Sequence, residues 1–367
     1  MKKPGFDYIL LFSVITLTAI GTIMIFSASP TMGLKLGDTF YFIKRQILYL
    51  LLGFSALYLA LTLELKTLKK WSFTILLFSL FLLLLVFIPG VGKKISGASR
   101  WIDLIIISFQ PSELIKLSIV LFLANLLSTW DTRIKNLTRG FLSVLIWVGI
   151  VLIPILLQPD MGTTIVIGAT SFVLLFAAGA YFYHLLSLAG FGILGALVIS
   201  LTSPYRLQRL LAYLDPWKDP QGIGFQIIQS LLAVGSGGFM GFGLGASRQK
   251  FFYLPQQFTD FIFAILCEEL GFIGGIGVII LFALFTARGF RIALSADGRF
   301  NSLLAVGITS WLSLQAAINM MVVVGLIPTT GIPLPFISYG GTATILNLFA
   351  VGILLNISLT GRTESPA

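Results

Sequence analysis

Residues 72–90 read SFTILLFSLFLLLLVFIPG, a run without a single charge, with Lys69 and Lys70 before it and Lys93 and Lys94 after it. The hydrocarbon core of a bilayer is roughly 30 Å thick, and about 20 mainly apolar helical residues cross it. The run has that length, and the flanking lysines mark where it meets water. It is a membrane span. Comparable stretches elsewhere give ten expected spans: 8–28, 46–63, 72–90, 112–130, 140–157, 161–181, 184–203, 260–287, 301–325 and 341–360. The expected fold is therefore an all-α polytopic membrane protein, a single transmembrane domain over residues 1–367. A long loop, 204–259, separates spans seven and eight.

Composition agrees. Of 367 residues, 57% are hydrophobic and 10% charged, whereas soluble domains run near 45–50% apolar and about 25% charged. The residues needed for a polar surface are missing, so the apolar ones face lipid. A single cysteine, Cys267, excludes an internal disulfide framework, and a single histidine, His184, excludes paired-His and Cys/His metal sites. The net charge of +10 reads as topology signal. Without basic stretches interleaved with aromatics outside the spans, nucleic-acid binding is discounted.

Counting lysines and arginines on the two sides gives a near tie. Loop length breaks it, because the rule holds for short loops. Short connections carrying Lys66, Lys69, Lys70, Arg133, Lys135, Arg139, Arg288, Arg291 and Arg299 fall on the side of Lys2, Lys3 and Arg362. Both termini are thus expected in the cytoplasm. Lys2, Lys3 and Ser27-Ala28-Ser29 resemble a signal peptide, but the apolar run between them exceeds the usual 7–15 residues and Pro30 follows directly. It is read as a retained span.

The outer side carries two loops, 91–111 and 204–259. Structureless loops beyond about 15 residues are uncommon unless functional. In the longer one, Phe225–Val234 predicts a short interfacial helix. Gly235-Ser236-Gly237-Gly238 follows, with Gly241, Gly243 and Gly245. Such glycines suit either a flexible connector or an anion-binding nest.

Three spans begin with a polar residue and then a carboxylate: Gln110-Pro111-Ser112-Glu113, Gln158-Pro159-Asp160 and Thr259-Asp260. Each alone is explained as a helix start, with proline in the first turn and an acid at the positive dipole end. Together they converge on the side of the long basic loop, which suits a charged ligand as well. Lys116 shares a helix face with Glu113 and can pair with it. Charges inside spans face a bundle interior or a wet cavity. Glu268 and Glu269 lie about 12–14 Å below Asp260 along the helix, and structural and functional roles are both open to them. Gly271, Gly274, Gly275 and Gly277 suggest close packing or a bend. Near the C-terminus, Pro328-Thr329-Thr330-Gly331-Ile332-Pro333-Leu334-Pro335 breaks the helix, and Ser338-Tyr339-Gly340-Gly341-Thr342 opens the last span, a turn or an anion site.

Several of these stretches resemble the SEDS family (shape, elongation, division and sporulation proteins). They are Tyr205–Leu214 with Asp215-Pro216-Trp217-Lys218-Asp219-Pro220, Gly222–Gly245, Thr259-Asp260-Phe261-Ile262-Phe263-Ala264 through Glu268-Glu269-Leu270-Gly271, and Asn319 through Gly341. Leu214 through Pro220, and Gln249-Lys250-Phe251-Phe252-Tyr253-Leu254-Pro255, look more like the division branch, FtsW, than the elongation branch, RodA. One departure stands out. The family commonly reads Leu-Pro-Glu-x-His before Thr-Asp, where this chain has Leu254-Pro255-Gln256-Gln257-Phe258. No acid or histidine is available there for proton transfer, so more weight falls on Asp260.

The resemblance implies polymerisation of lipid II, a disaccharide-pentapeptide on undecaprenyl diphosphate, into β-1,4 glycan strands on the outer face of the membrane, at the division septum. Asp260 would be the base, in a single inverting step. Lys116, Glu113, Arg206, Arg209, Arg248, Lys250, Gln158, Asp160 and Ser338 are the substrate-binding candidates, the cations facing the diphosphate. The sequence requires no cofactor and is compatible with a magnesium or manganese ion at the diphosphate. The expected partners are membrane lipid, a bitopic penicillin-binding transpeptidase and other division proteins. The rival readings are a lipid II flippase, an elongation-type polymerase and a scaffold for a transpeptidase. A flippase should carry polar groups through the bilayer depth, whereas here they gather on one side.

Overall fold

The computed structural model describes residues 5–95, 98–104, 107–130, 133–250 and 254–360. Its helices in chain order are α1 (Tyr8–Ala28), α2 (Pro30–Lys35), α3 (Tyr41–Thr62), α4 (Leu65–Leu85), α5 (Pro111–Thr129), α6 (Leu142–Leu157), α7 (Met161–Ala177) and α8 (Phe182–Thr202). Then follow α9 (Pro204–Leu214), α10 (Phe225–Ser236), α11 (Ile262–Ser295), α12 (Arg299–Val323) and α13 (Gly341–Leu359). Among the described residues nine helices are long and apolar enough to cross a membrane, and α7 is a shorter apolar helix of 17 residues. A helix stands in each of the ten expected spans. Lys2, Lys3 and Arg362, used above for orientation, lie outside the described residues, as do Phe251, Phe252 and Tyr253.

Helix ends differ from the expected spans for one reason. Hydropathy marks the part that crosses lipid, while backbone hydrogen bonding continues into the polar zone. Thus α4 begins at Leu65 and carries Lys66, Lys69 and Lys70 in its first turns, and α11 runs on to Ser295. Residues 91–111 are not a plain loop. They form an antiparallel three-stranded sheet, β1 (Gly92–Ile95), β2 (Ala98–Leu104) and β3 (Ile107–Phe109). Trp101 pairs with Lys93, Asp103 pairs with Ser108, and a Lys93–Asp103 ion pair of 2.8 Å crosses it. β-Branched and aromatic residues, among them Trp101, Ile102, Ile107 and Phe109, favour such pairing.

The core is built around α12, α5 and α13, with Trp311, Ile115, Leu121 and Leu354 fully enclosed. By contrast α8 stands apart, with only His184 and Leu185 buried. Within the long loop, α10 matches the expected short helix. It buries Ile227, Ile228, Ser230 and Ala233, and the Ser230 hydroxyl donates to the Val323 carbonyl at 2.7 Å, so it packs on the end of α12. Pro204–Leu214 is a further helix, not expected from the sequence.

The glycine cluster is neither a loose connector nor an anion nest. Helix α11 is broken at Gly271 (φ 66°, ψ −165°). A helix break strands amides and carbonyls, which near lipid must find partners inside the protein. The 238–243 segment supplies them. Phe242 and Gly243 donate to the Glu268 and Glu269 carbonyls, and Phe272 and Ile273 donate to the Gly238 and Phe239 carbonyls. Side chains at 237 or 241 would prevent this contact, since a Cβ there would lie 2.0 Å from the Cys267 oxygen or 2.2 Å from the Glu269 oxygen. The two glutamates anchor the same segment. Glu268 accepts from the Ser247 hydroxyl and the Arg248 amide, while Glu269 accepts from Ser27 of α1 at 2.6 Å and faces Lys250 at 3.5 Å. Both carboxylates are buried.

A second buried charge pair ties α5 to α12. The Lys116 ammonium donates to Glu113 and to Gln315, each at 2.7 Å, and lies 5.4 Å over the Trp311 ring.

Two outcomes follow. The Gly271 backbone conformation costs any other residue about 1–3 kcal/mol, and a Cβ there would meet the Gly241 amide at 2.3 Å. Gly271→Ala therefore lowers the unfolding temperature of the purified protein, whereas Gly277→Ala, with nothing within 4 Å, leaves it unchanged. Lys116→Met strands a buried carboxylate and destabilises by about 3–5 kcal/mol. Glu113→Gln/Lys116→Met recovers most of that loss in the same thermal assay.

Candidate active site

Asp260 lies two residues ahead of α11, at the rim of the span, half-buried. Its backbone is held tightly. The Asn319 amide of α12 donates to the Asp260 carbonyl at 2.7 Å and to the Ile332 carbonyl at 2.8 Å. The Ser338 hydroxyl donates to Thr259 O at 2.6 Å and accepts from the Leu334 amide at 2.8 Å. The Tyr339 amide donates to Phe258 O at 2.9 Å. The proline-rich 328–340 segment is thus clamped against residues 258–260. Gly331, in the left-handed region (φ 74°), lies beneath the carboxylate, where a Cβ would come within 3.7 Å of Asp260 Oδ2.

The carboxylate itself is less provided for. Among the described residues none donates a hydrogen bond to it. Burial pushes its pKa up to about 6, with Arg209 opposing, Asp160 adding to the rise and Arg100 opposing again. Arg209 comes from α9 and donates to Thr329 O at 3.0 Å. Arg100 comes from β2 and donates to Gln158 O at 3.0 Å and Pro159 O at 2.7 Å, with Asp160 3.9 Å away. A poised acid within the field of two guanidinium groups can accept a proton, and the same cations favour a nearby dianion.

The remaining candidates divide clearly. Asp160 is buried and caps α7, accepting from the Thr163 amide at 3.1 Å and the Thr163 hydroxyl at 3.0 Å. Its charge nonetheless acts on Asp260. Gln158 donates to Leu83 O at 3.1 Å and fixes the turn that Arg100 grips. Ser338 positions the backbone. Arg206 donates to Leu156 O at 3.0 Å, joining α9 to the end of α6. Lys250 is turned inward, onto Glu269 and the Gly245 carbonyl, and Lys116 and Glu113 are sealed in the bundle against each other. The guanidinium of Arg248, an exposed residue, lies 5.6 Å over the Phe242 ring. Where the family motif departs, Gln257 donates to Ala28 O at 2.8 Å and Gln256 accepts from the Thr259 hydroxyl at 2.9 Å. Arg100 is the cation acting on Asp260 that reading by spans missed. The signal for it was a basic residue before Trp101 in a segment rich in aromatic and β-branched residues. Among the described residues no group of three or more His, Cys, Asp or Glu side chains is placed to hold a metal ion.

Comparison with known proteins places this geometry in context. A family model described as "cell cycle protein", FtsW/RodA/SpoVE, matches residues 8–363. The chain is 47% identical to stage V sporulation protein E of Bacillus subtilis over 98% of its length and 99% of that protein's. It is 44% identical to the probable peptidoglycan glycosyltransferase FtsW of Geobacter sp., over 98% and 99%. Among solved structures it superposes with TM-score 0.81 and 32% identity, over 96% of this chain and 98% of the other, on a chain described under "structural coordination of polymerization and crosslinking by a peptidoglycan synthase complex". It also superposes with TM-score 0.70 and 29% identity on the rod shape determining protein RodA of Thermus thermophilus, over 98% and 99%. These matches run essentially end to end, and the helical membrane bundle is the shared fold. The chain belongs to the FtsW/RodA/SpoVE family.

Proposed function

We propose that this protein is a peptidoglycan glycosyltransferase that polymerises lipid II into β-1,4 glycan strands, serving septal synthesis in division or sporulation. The names of the relatives support the activity, and the resemblance of Leu214–Pro220 to the division branch supports the septal role. The observation that carries the reading is Asp260, a carboxylate at the rim of α11 with its pKa raised to about 6 and acted on by the charges of Arg209 and Arg100. The end of the bundle bearing the sheet and the 204–259 segment then faces outward, with both termini in the cytoplasm.

In this reaction the acceptor sugar's 4-hydroxyl oxygen attacks C1 of the donor sugar. The bond from C1 to the diphosphate oxygen breaks, and the electron pair leaves with the diphosphate. Asp260 takes the hydroxyl proton. Attack opposite the departing group inverts C1, in keeping with the engagement of Asp160, the carboxylate whose charge acts on Asp260, in capping α7. Arg209 and Arg100 meet the charge that builds on the leaving diphosphate, where a low dielectric strengthens their effect. A magnesium or manganese ion would rest mainly on diphosphate oxygens and water, with a carboxylate at its edge. A bitopic penicillin-binding transpeptidase is the partner that fits the coupling of polymerization to crosslinking described for the structural relative.

A flippase reading lacks support from the distribution of charge. The buried charges Lys116, Glu113, Glu268 and Glu269 are each engaged by protein partners. A path for headgroups would leave such groups open to water.

Asp260→Asn removes the base while sparing the surrounding backbone bonds, which use main-chain atoms. The purified variant makes at least about 100-fold less polymer from lipid II, the usual scale for a general base, and melts no lower than wild type at pH 7.5. Undiminished polymer would sink the assignment. The sign of the pH effect follows from the raised pKa. The base is active when ionised, so wild-type kcat/KM falls as pH drops through about 6, and a flat profile from pH 5 to 7 contradicts it.

A further inference from the structure

We propose that the cavity beside α9 holds the peptide stem of the lipid-linked substrate, an inference that rests on the glycosyltransferase reading. The cavity, about 300 Å³, opens between α9, the 219–224 turn and α10. That is at the small end of ligand pockets, roughly 300–1,000 Å³, and suits a short stretch of chain. Its walls combine Gln208 and Gln226, a single guanidinium from Arg209, and apolar surface from Ala212, Ile223 and Ile227.

The two glutamines are the telling residues. Gln110, Gln158, Gln257 and Gln315 donate to named protein groups, while the side chains of Gln46, Gln221, Gln229 and Gln249 bond to none among the described residues. Gln208, which is exposed, and Gln226, half-buried, also bond to nothing among the described residues, and what distinguishes them is that both line the cavity. A carboxamide offers donors and an acceptor together, the complement of a peptide group. Small apolar walls receive short aliphatic side chains, while Arg209, at the cavity's edge, is kept for the diphosphate. A diphosphate would use the amide N–H donors but leave their carbonyl acceptors and the isoleucines unanswered, and it would call for more positive charge.

Position supports the same occupant. Arg209 forms a wall of the cavity and is also the strongest charge acting on Asp260. Pro255 and Thr329, from the two segments that frame Asp260, complete that side. A sugar reacting at Asp260 therefore presents a side branch to this cavity.

The test compares lipid II with the same lipid-linked disaccharide lacking the peptide, using the full-length purified protein and its Gln208→Ala/Gln226→Ala variant. Wild type is expected to show a KM about tenfold lower for lipid II, the scale of two lost hydrogen bonds, and in the variant the two KM values converge. Equal KM values in wild type, or a parallel rise for both substrates in the variant, overturn the proposal. The wild-type comparison stands even where the variant fails to fold. Polymer from neither substrate would defeat the glycosyltransferase reading instead. Direct binding to the Asp260→Asn protein then decides the cavity separately: tighter binding of lipid II than of the peptide-free lipid supports it, and equal binding overturns it.

Discussion

Inside a bilayer no water is present to bond a stray amide or carbonyl, and every backbone polar group has to be answered from within the protein. Helix α11 breaks this regularity at Gly271, and the arrangement around the break organises the surrounding structure. The backbone of residues 238–243 closes the gap with four hydrogen bonds. Two adjacent glutamates then fasten the returning segment, one to Ser247 and the Arg248 amide, the other to Ser27 and Lys250. Burying two carboxylates is costly unless each is hydrogen-bonded or paired, and both are. The result is a rigid floor from which residues 254–261 rise to the rim.

That floor explains why Asp260 can be held charged-ready without direct partners. Its main chain is gripped by Asn319, and the neighbouring Thr259 and Phe258 carbonyls by Ser338 and Tyr339. The side chain is left to the field of Arg209, Asp160 and Arg100. Position and reactivity are therefore set by different groups. Substitutions at Asn319 or Ser338 act on where the carboxylate sits, and substitutions at Arg209 or Arg100 act on when it ionises.

The spans were legible because lipid imposes a single, length-dependent demand on sequence, and the ten apolar runs each hold a helix. Asp260 was legible through its motif and its place at a helix start. What could not be read was anything set by contacts between distant segments. The glycines from 237 to 243 look like a loop until the break at Gly271 shows what they approach. Lys250 looks like a ligand for phosphate until Glu269, nineteen positions later, turns it inward. Arg100 escaped notice because a short sheet, not a span, carries it to Gln158 and Asp160. Local patterns report local structure, and long-range pairings of one charge with another leave almost no trace in them.

The two pieces of α11, 34 residues in all, have axial lengths that sum to about 51 Å, well beyond the roughly 30 Å of the hydrocarbon core. Its irregular point is off-centre, with about 15 Å of helix on the Asp260 side and about 36 Å on the other. The long arm alone is enough to cross that core, so the short arm beyond the break can carry Asp260 at the rim without also having to span lipid.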